Sequence, residues 1–230
     1  MPYTLTIDFN RPMALFPLAQ CVLLPHATIP LHIYEPRYRA LTADALDSSG
    51  LVAMTTFQGD EYIQNYNGNP SIHDHVCVGY IVHHERMSDG RYNMLLQGIA
   101  RAKIIDELEP HHGGYRQAIL SPIDTGAMEI DLDYQRGQIE TLLSDASLSR
   151  LASVHAIHNW LTPELPTSAV VDLVWQAVCD THEQRYRMLA EPCALKRADH
   201  LIHHLRRTRQ TLDKAQSMGP CMSEEGFPLN

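Results

Sequence analysis

The stretch that decides the fold runs from Leu15 to Leu41 and reads LFPLAQCVLLPHATIPLHIYEPRYRAL. It contains two apolar runs, LFPL and CVLL, which are separated by Gln20, and the second run ends at Pro25. Proline fixes φ and has no amide hydrogen, so it suits strand ends and the first turn of a helix but disrupts element interiors. We therefore predict extended chain, a corner at Pro25, a short strand from Pro30 and a helix that begins at Pro36.

This stretch also resembles the opening of the N-terminal substrate-binding domain of the ATP-dependent protease Lon, in the order LFPL…VLLP…PLHIYEPRY. The resemblance is specific because several fixed residues recur at fixed spacings. Glu35, Arg37 and Tyr38 stand where that family has its E-x-RY helix start. We expect these residues to serve architecture, with Arg37 fixing the corner between strand and helix. In the alternative interpretation, Arg37 binds a ligand carboxylate.

Between this helix and residue 122, the sequence predicts several short β-strands. These segments are rich in residues that favour a pleated, half-buried surface, and turn-forming residues separate them. The predicted strands are Leu51–Phe57, Val76–Arg86, Arg91–Gln97, Ala102–Leu108 and Tyr115–Leu120. Several short strands at this spacing are typical of a small barrel or sandwich.

Glycines mark the joins between these predicted strands. Asp89 and Gly90 predict a hairpin turn, and Gly79 predicts a bulge or a close backbone approach. Gly98 begins a predicted interruption that ends at Arg101. The segment GDEYIQNYNGNPS, at residues 59–71, is rich in turn residues and predicts a mobile loop.

The segment VGYIVHHERMSDGRYNMLLQGIARAKI, followed by YRQAIL, is similar to the later strands of the same Lon domain. Gly79, Gly90, Gly98 and Arg101 stand at positions of the family pattern. The resemblance covers residues 13 to 122. It implies a pseudo-barrel related to PUA folds, built from β-strands around the early helix.

After about residue 126 the pattern becomes helical. Apolar residues recur at three- and four-residue steps, which is typical of amphipathic helices, and Thr181 with Gln184 predicts a helix start. The sequence thus predicts an α+β fold with a β pseudo-barrel at 1–125, a helical bundle at 126–216 and a loose tail at 217–230. The bundle is similar, more weakly, to the helices that follow the Lon barrel.

The composition excludes several classes of protein. Of the 230 residues, 44% are hydrophobic and 20% are charged, which is typical of a globular protein. No apolar run approaches the roughly 20 residues that a membrane-spanning helix needs, and the N-terminus has no secretory pattern. We therefore expect a cytoplasmic protein. The net charge of -9 disfavours nucleic acid as a partner.

Motifs for catalysis are missing from the sequence. No glycine is followed by lysine, so a phosphate-binding GxxxxGK[ST] loop is absent, and so is the serine–lysine peptidase motif of Lon proteases. The 14 histidines form several close pairs, but adjacent histidines on a strand point to opposite faces and HExxH is incomplete. We predict no catalytic residue, no metal and no cofactor.

The leading functional hypothesis, implied by the family resemblance, is a non-enzymatic module that binds unfolded or extended polypeptide. Tyr62, Ile63 and Tyr66 are the candidate substrate-binding residues, since exposed apolar side chains in a loop can hold an extended segment. Ordinary loop packing is the competing interpretation for these side chains. A separate Lon-type protease is a further candidate partner.

Two alternatives from other classes remain. One is a PUA-like nucleic-acid-binding protein, and the other is a small-molecule or metal enzyme that uses the histidine-rich segments. The basic stretch from Lys196 to Lys214 has two interpretations as well, a solvated helix face or a docking surface for an acidic partner.

Overall fold

The computed structural model describes residues 6–66, 68–123, 131–158 and 161–217. The elements are, in chain order, β1 (Met13–Leu18), β2 (Thr28–Ile33), α1 (Pro36–Leu46), β3 (Leu51–Thr56), α2 (Glu61–Gln64), β4 (His75–Arg86), β5 (Tyr92–Leu108), β6 (Arg116–Pro122), α3 (Asp133–Leu143), α4 (Ala152–His158), α5 (Thr167–Val178), α6 (His182–Ala190) and α7 (Ala194–Ser217). The strands come first and the bundle helices follow. The predicted α+β architecture is therefore confirmed.

The strands form one sheet in the order β2-β5-β4-β3-β1-β6, and a second pairing between β5 and β6 closes it. β1 and β3 run parallel, with Leu15 opposite Ala53. The other pairs are antiparallel. Closure is possible because β5 is 17 residues long. Its first half pairs with β2 and its second half with β6. The result is the predicted pseudo-barrel.

The opening stretch is only partly strand. β1 ends in a turn at Gln20, whose φ of 54° is left-handed. The following CVLL run is largely buried but does not join a described strand. Gln176 on α5 satisfies its backbone instead, because Leu24 N donates to Gln176 Oε1 at 3.0 Å and Gln176 Nε2 donates to Val22 O at 3.2 Å. The helix then begins at Pro36, as predicted.

The predicted interruption of the strand at residues 98–101 is wrong, because β5 runs through it. Gly98 marks a close approach between two backbones. His26 N donates to Gly98 O at 2.8 Å, and Gly98 N donates to Ala27 O at 2.8 Å. A Cβ at position 98 would lie 2.3 Å from the carbonyl oxygen of Leu24. Glycine is required here because no side chain fits between the strand and the loop.

The two other predicted glycine positions behave as the sequence indicates. Gly90 has φ of 82° in the turn between β4 and β5. Gly79 lies at a shift in the register of those strands. The hairpin and the bulge thus follow from local sequence.

The barrel and the bundle share one apolar core. Along β3, Val52 and Met54 belong to the core that includes the helices, whereas Leu51 and Ala53 belong to a second cluster between the strands. This alternation follows from the two-residue period of a strand. The predicted boundary at residue 125 lies outside the described residues, as does the predicted tail beyond Ser217.

Helices α3 to α7 occupy the part of the chain that was predicted to form a helical bundle. Thr181 caps α6, because its Oγ1 accepts a hydrogen bond from Gln184 N at 3.3 Å. Among the helices in the described part of the chain, none has the length and apolar character to cross a membrane.

Candidate functional site

The segment between β3 and β4 is packed by aromatic contacts. Tyr62, in the one-turn helix α2, stacks on Phe57 with ring centroids 5.0 Å apart and planes inclined by 12°. Tyr66 approaches the same ring edge-on at 5.8 Å. The turn-rich loop predicted at 59–71 therefore contains a short helix, and its tyrosines pack at the end of β3.

A charged cluster at the start of α1 holds the other end of this segment. Tyr66 donates from its hydroxyl to Glu35 Oε1 at 2.7 Å. Arg37 Nε donates to Glu35 Oε2 at 3.2 Å. The Arg37 guanidinium lies 4.7 Å from the ring centroid of Tyr38 and 4.8 Å from that of Tyr66. The E-x-RY residues thus bind the loop through hydrogen bonds and cation–π contacts.

Beside this segment lies a cleft of about 410 Å³ between the barrel and α6, which we call the barrel–helix cleft. Its walls combine aromatic, polar and charged side chains. The lining residues are Gln20, Thr56, Phe57, Gly59, Asp60, Tyr62, His73, His182, Glu183, Tyr186 and Arg187. Pockets of this size can bury small ligands or a few side chains.

Tyr186 fixes the wall that α6 contributes to the cleft. Its ring lies 4.0 Å from the ring of His73, centroid to centroid. Its hydroxyl donates to Asp74 Oδ1 at 3.1 Å and accepts from the backbone N of His75 at 3.3 Å. Lys103 Nζ lies 3.2 Å from the same carboxylate. α6 is therefore tied to the start of β4 by aromatic contacts with His73 and His75 and by a polar network.

Burial shifts the pKa values of groups around the cleft. It raises the pKa of Tyr186 to about 12, still further above neutral pH than the ordinary value of 10. Burial also raises the pKa of Tyr66, and the hydrogen bond to Glu35 adds to this shift. Burial lowers the pKa of His73, Asp74 partly opposes this shift, and the nearby His182 and His75 add to it. His73 is therefore favoured in its neutral form.

The three candidate substrate-binding residues occupy different positions. Tyr62 lines the barrel–helix cleft. Ile63 is 67% exposed on α2. Tyr66 is half-buried and bonded to Glu35. The structure thus places one of the three residues in the cleft, one on the surface next to it and one in the contact that anchors the loop.

The histidine pairs do not assemble into a metal site in the described ranges. Within those residues, no group of three His, Cys, Asp or Glu side chains is placed to hold a metal ion. His73 and His75 both contact Tyr186 instead. Adjacent His111 and His112 contact each other, and His111 stacks on Tyr115.

Sequence reasoning missed two features of this region. Asp172 is buried on α5 and bound to Arg101 of β5, a pair of residues far apart in the chain. The second is Tyr186 on α6, whose hydroxyl bonds to Asp74. A buried tyrosine usually finds a hydrogen-bond partner, which was the available signal.

Comparison with known families identifies the family to which this fold belongs. The family model of the ATP-dependent protease La (LON) substrate-binding domain matches residues 12–207. The chain belongs to this family. The predicted resemblance is therefore confirmed, and it extends over the bundle as well as the barrel. A search of curated proteins finds no match.

Solved structures of LON N-terminal domains share the fold. The Lon N-terminal domain protein from Xanthomonas campestris is 20% identical, with a TM-score of 0.60, and the match covers 84% of this chain and 98% of that one. The N-terminal domain of the Mycobacterium avium complex Lon protease is 18% identical, with a TM-score of 0.62, and the match covers 85% and 98%. At these identities the LON likeness concerns the fold alone.

Proposed function

We propose that this LON-family chain binds extended segments of unfolded or damaged polypeptide and that the barrel–helix cleft receives their apolar side chains. The observation that carries this proposal is the aromatic lining of the cleft. Tyr62 stacks on Phe57 on the barrel side, and Tyr186 contacts His73 at the junction with α6. Aromatic walls offer large apolar contact area together with polar edges.

The immediate surroundings of the cleft support an extended ligand. Ile63 follows Tyr62 on α2 and presents an exposed apolar side chain. Asp60, Glu183 and Arg187 provide polar groups at the cleft that can bind backbone amides and carbonyls. A cleft of about 410 Å³ takes a few side chains, which suits one segment of a chain better than a folded surface.

In this proposal the chain binds and does not catalyse. Membership of a substrate-binding domain family supports that role. A separate Lon-type protease in the cytoplasm would then receive the bound polypeptide. The nucleic-acid alternative gains no support, because the chain carries a net charge of -9.

The test compares binding of fluorescently labelled casein, which is unfolded, with binding of a folded protein of similar size. Tyr62→Ala should weaken casein binding about tenfold or more, since truncation of a central aromatic contact costs roughly 1 to 2 kcal/mol or more. Tyr134→Ala is the matched control, because Tyr134 is 72% exposed on α3, away from the lining of the cleft. Equal and negligible binding of both proteins would overturn the proposal.

A further inference from the structure

A second concave surface lies on the far side of α6 from the barrel. This α6–α7 groove has a volume of about 670 Å³. Trp175, Met188 and Leu212 provide its apolar side chains. Trp175 Nε1 donates to Arg197 O at 3.2 Å, so the indole contributes ring surface and no free polar group. Trp175, whose ring contacts His204, and Met188 are nearly buried and close the bottom of the groove, so half-buried Leu212 provides most of its accessible apolar surface.

The groove also carries exposed cationic groups. Arg187 and Arg207 both line it, and neither guanidinium forms a hydrogen bond or ion pair with another residue of the described part of the chain. His200, His203 and His204 lie beside them. In a chain of net charge -9, this local concentration of basic side chains is an exception.

Two carboxylates also line the groove. Asp180 precedes α6 and Glu191 follows it, so they lie at the two ends of that helix. Glu191 Oε1 already accepts a hydrogen bond from Cys193 N at 2.9 Å. Arg187 belongs to α6 between these two ends. Among the described residues, neither carboxylate forms an ion pair with Arg187 or Arg207, so both guanidiniums are available to a ligand.

The other arginines of α7 are engaged elsewhere. Arg197 is buried 3.5 Å from the carboxylate of Asp172. Arg206 Nη2 donates to Gln138 Oε1 at 2.6 Å, and Arg209 lies 3.8 Å from Asp145. The basic stretch predicted from sequence is therefore divided. The arginines on the side toward α3 form contacts within the fold, whereas Arg207 lines the groove.

We propose that the α6–α7 groove docks an acidic segment of a partner polypeptide that also carries bulky apolar side chains. Carboxylates of the segment pair with Arg187 and Arg207, and its apolar side chains pack on Leu212 and on the exposed edges of Trp175 and Met188. Charge complementarity selects the acidic partner, and the apolar contact helps to exclude water from the ion pairs. This surface is separate from the barrel–helix cleft, although Arg187 borders both.

The experiment uses the full chain and three fluorescein-labelled peptides of about ten residues. The first alternates pairs of glutamate with Leu-Phe pairs, the second replaces glutamate by lysine, and the third replaces Leu-Phe by alanine. Fluorescence anisotropy should show binding of the first peptide about tenfold tighter than of the other two, and its affinity should fall as salt is raised. Arg207→Glu should weaken that binding about tenfold, whereas Arg206→Glu, the adjacent control, should change it less than about twofold.

Tyr62→Ala should leave this binding unchanged, which separates the groove from the cleft. Equal binding of the acidic and basic peptides, equal effects of the two arginine variants, or no binding at all would overturn the proposal. Sedimentation of the unlabelled chain adds one more check. Self-association that Arg207→Glu abolishes would assign the groove to a second copy and would also contradict it.

Discussion

Arg101 on β5 and Asp172 on α5 form a buried ion pair that joins the barrel to the helical bundle. Arg101 Nη1 donates to Asp172 Oδ2 at 2.9 Å, and Nη2 donates to Oδ1 at 2.5 Å. Both side chains are 1% exposed. Arg197 of α7 approaches the same carboxylate at 3.5 Å. One carboxylate thus holds a strand of the barrel and two helices of the bundle together.

Loss of this carboxylate should destabilise the fold strongly. Asp172→Asn leaves two buried guanidiniums without their carboxylate, and breaking a buried pair in this way costs about 3 to 5 kcal/mol. The measurement is the free energy of unfolding from urea titration. Arg91→Gln is the control, because Arg91 pairs with Asp89 at the surface, where solvent screening leaves an ion pair little effect on stability. Equal losses in both variants would refute the structural role of the pair.

Two glycine-to-alanine changes should have opposite signs. At Gly98 a Cβ would meet the carbonyl oxygen of Leu24 at 2.3 Å, so Gly98→Ala must displace the loop and lower the melting temperature. At Gly137, inside α3, a Cβ would meet nothing within 4 Å. Gly137→Ala should therefore stabilise the chain by about 0.5 to 1 kcal/mol through helix propensity. If Gly98→Ala kept the melting temperature of the parent chain, the close approach of the loop to β5 would not be needed for stability.

Tyr66→Phe should release the loop that carries Tyr62. The change removes the hydrogen bond to Glu35 and keeps the ring against Arg37 and Phe57. We expect a loss of about 1 to 2 kcal/mol, since the bond is made to a charged group. Faster amide hydrogen exchange at residues 59–66 would report the release. In Tyr34→Phe, which alters a largely exposed tyrosine beside Glu35, exchange should stay at the parent rate.

Protonation of His73 in mild acid should weaken the contact between β4 and α6. Burial lowers the pKa of His73 below its ordinary value of 6.5 in the folded state. Its contribution to stability is therefore present above pH 6.5 and is lost as the pH falls through the lower folded value. His73→Phe keeps a ring against Tyr186 and should flatten the decline in unfolding free energy between about pH 7 and pH 5. His84→Phe, at an exposed position of β4, is the control, and an equally steep decline in both variants would contradict the account.

Much of the barrel follows from local patterns in the sequence. Pro36 starts a helix, the Asp89–Gly90 turn joins two strands, and Gly79 accompanies a register shift. These features depend on the backbone preferences of one or two residues, so a short stretch reveals them. The break expected at Gly98 was wrong because a glycine can equally mark a close contact from a distant loop.

Side-chain partners from distant segments could not be predicted. Arg101 matched a family position, but its partner Asp172 lies 71 residues further along the chain. Tyr66 looked available for a ligand, and its bond to Glu35 spans 31 residues. Such pairs depend on how the barrel and bundle meet, and no periodicity in a single segment encodes that contact.

The central claim, that the barrel–helix cleft receives unfolded polypeptide, is tested most directly by photo-crosslinking. A photoreactive phenylalanine analogue is placed at position 62 in one sample and at position 134 in another, and each is irradiated with labelled casein. Position 62 lines the cleft, whereas position 134 is exposed on α3. We expect strong crosslinking at position 62, suppressed by excess unlabelled casein, and little crosslinking at position 134. Equal yields at the two positions, or crosslinking at 134 alone, would show that the cleft does not receive unfolded polypeptide.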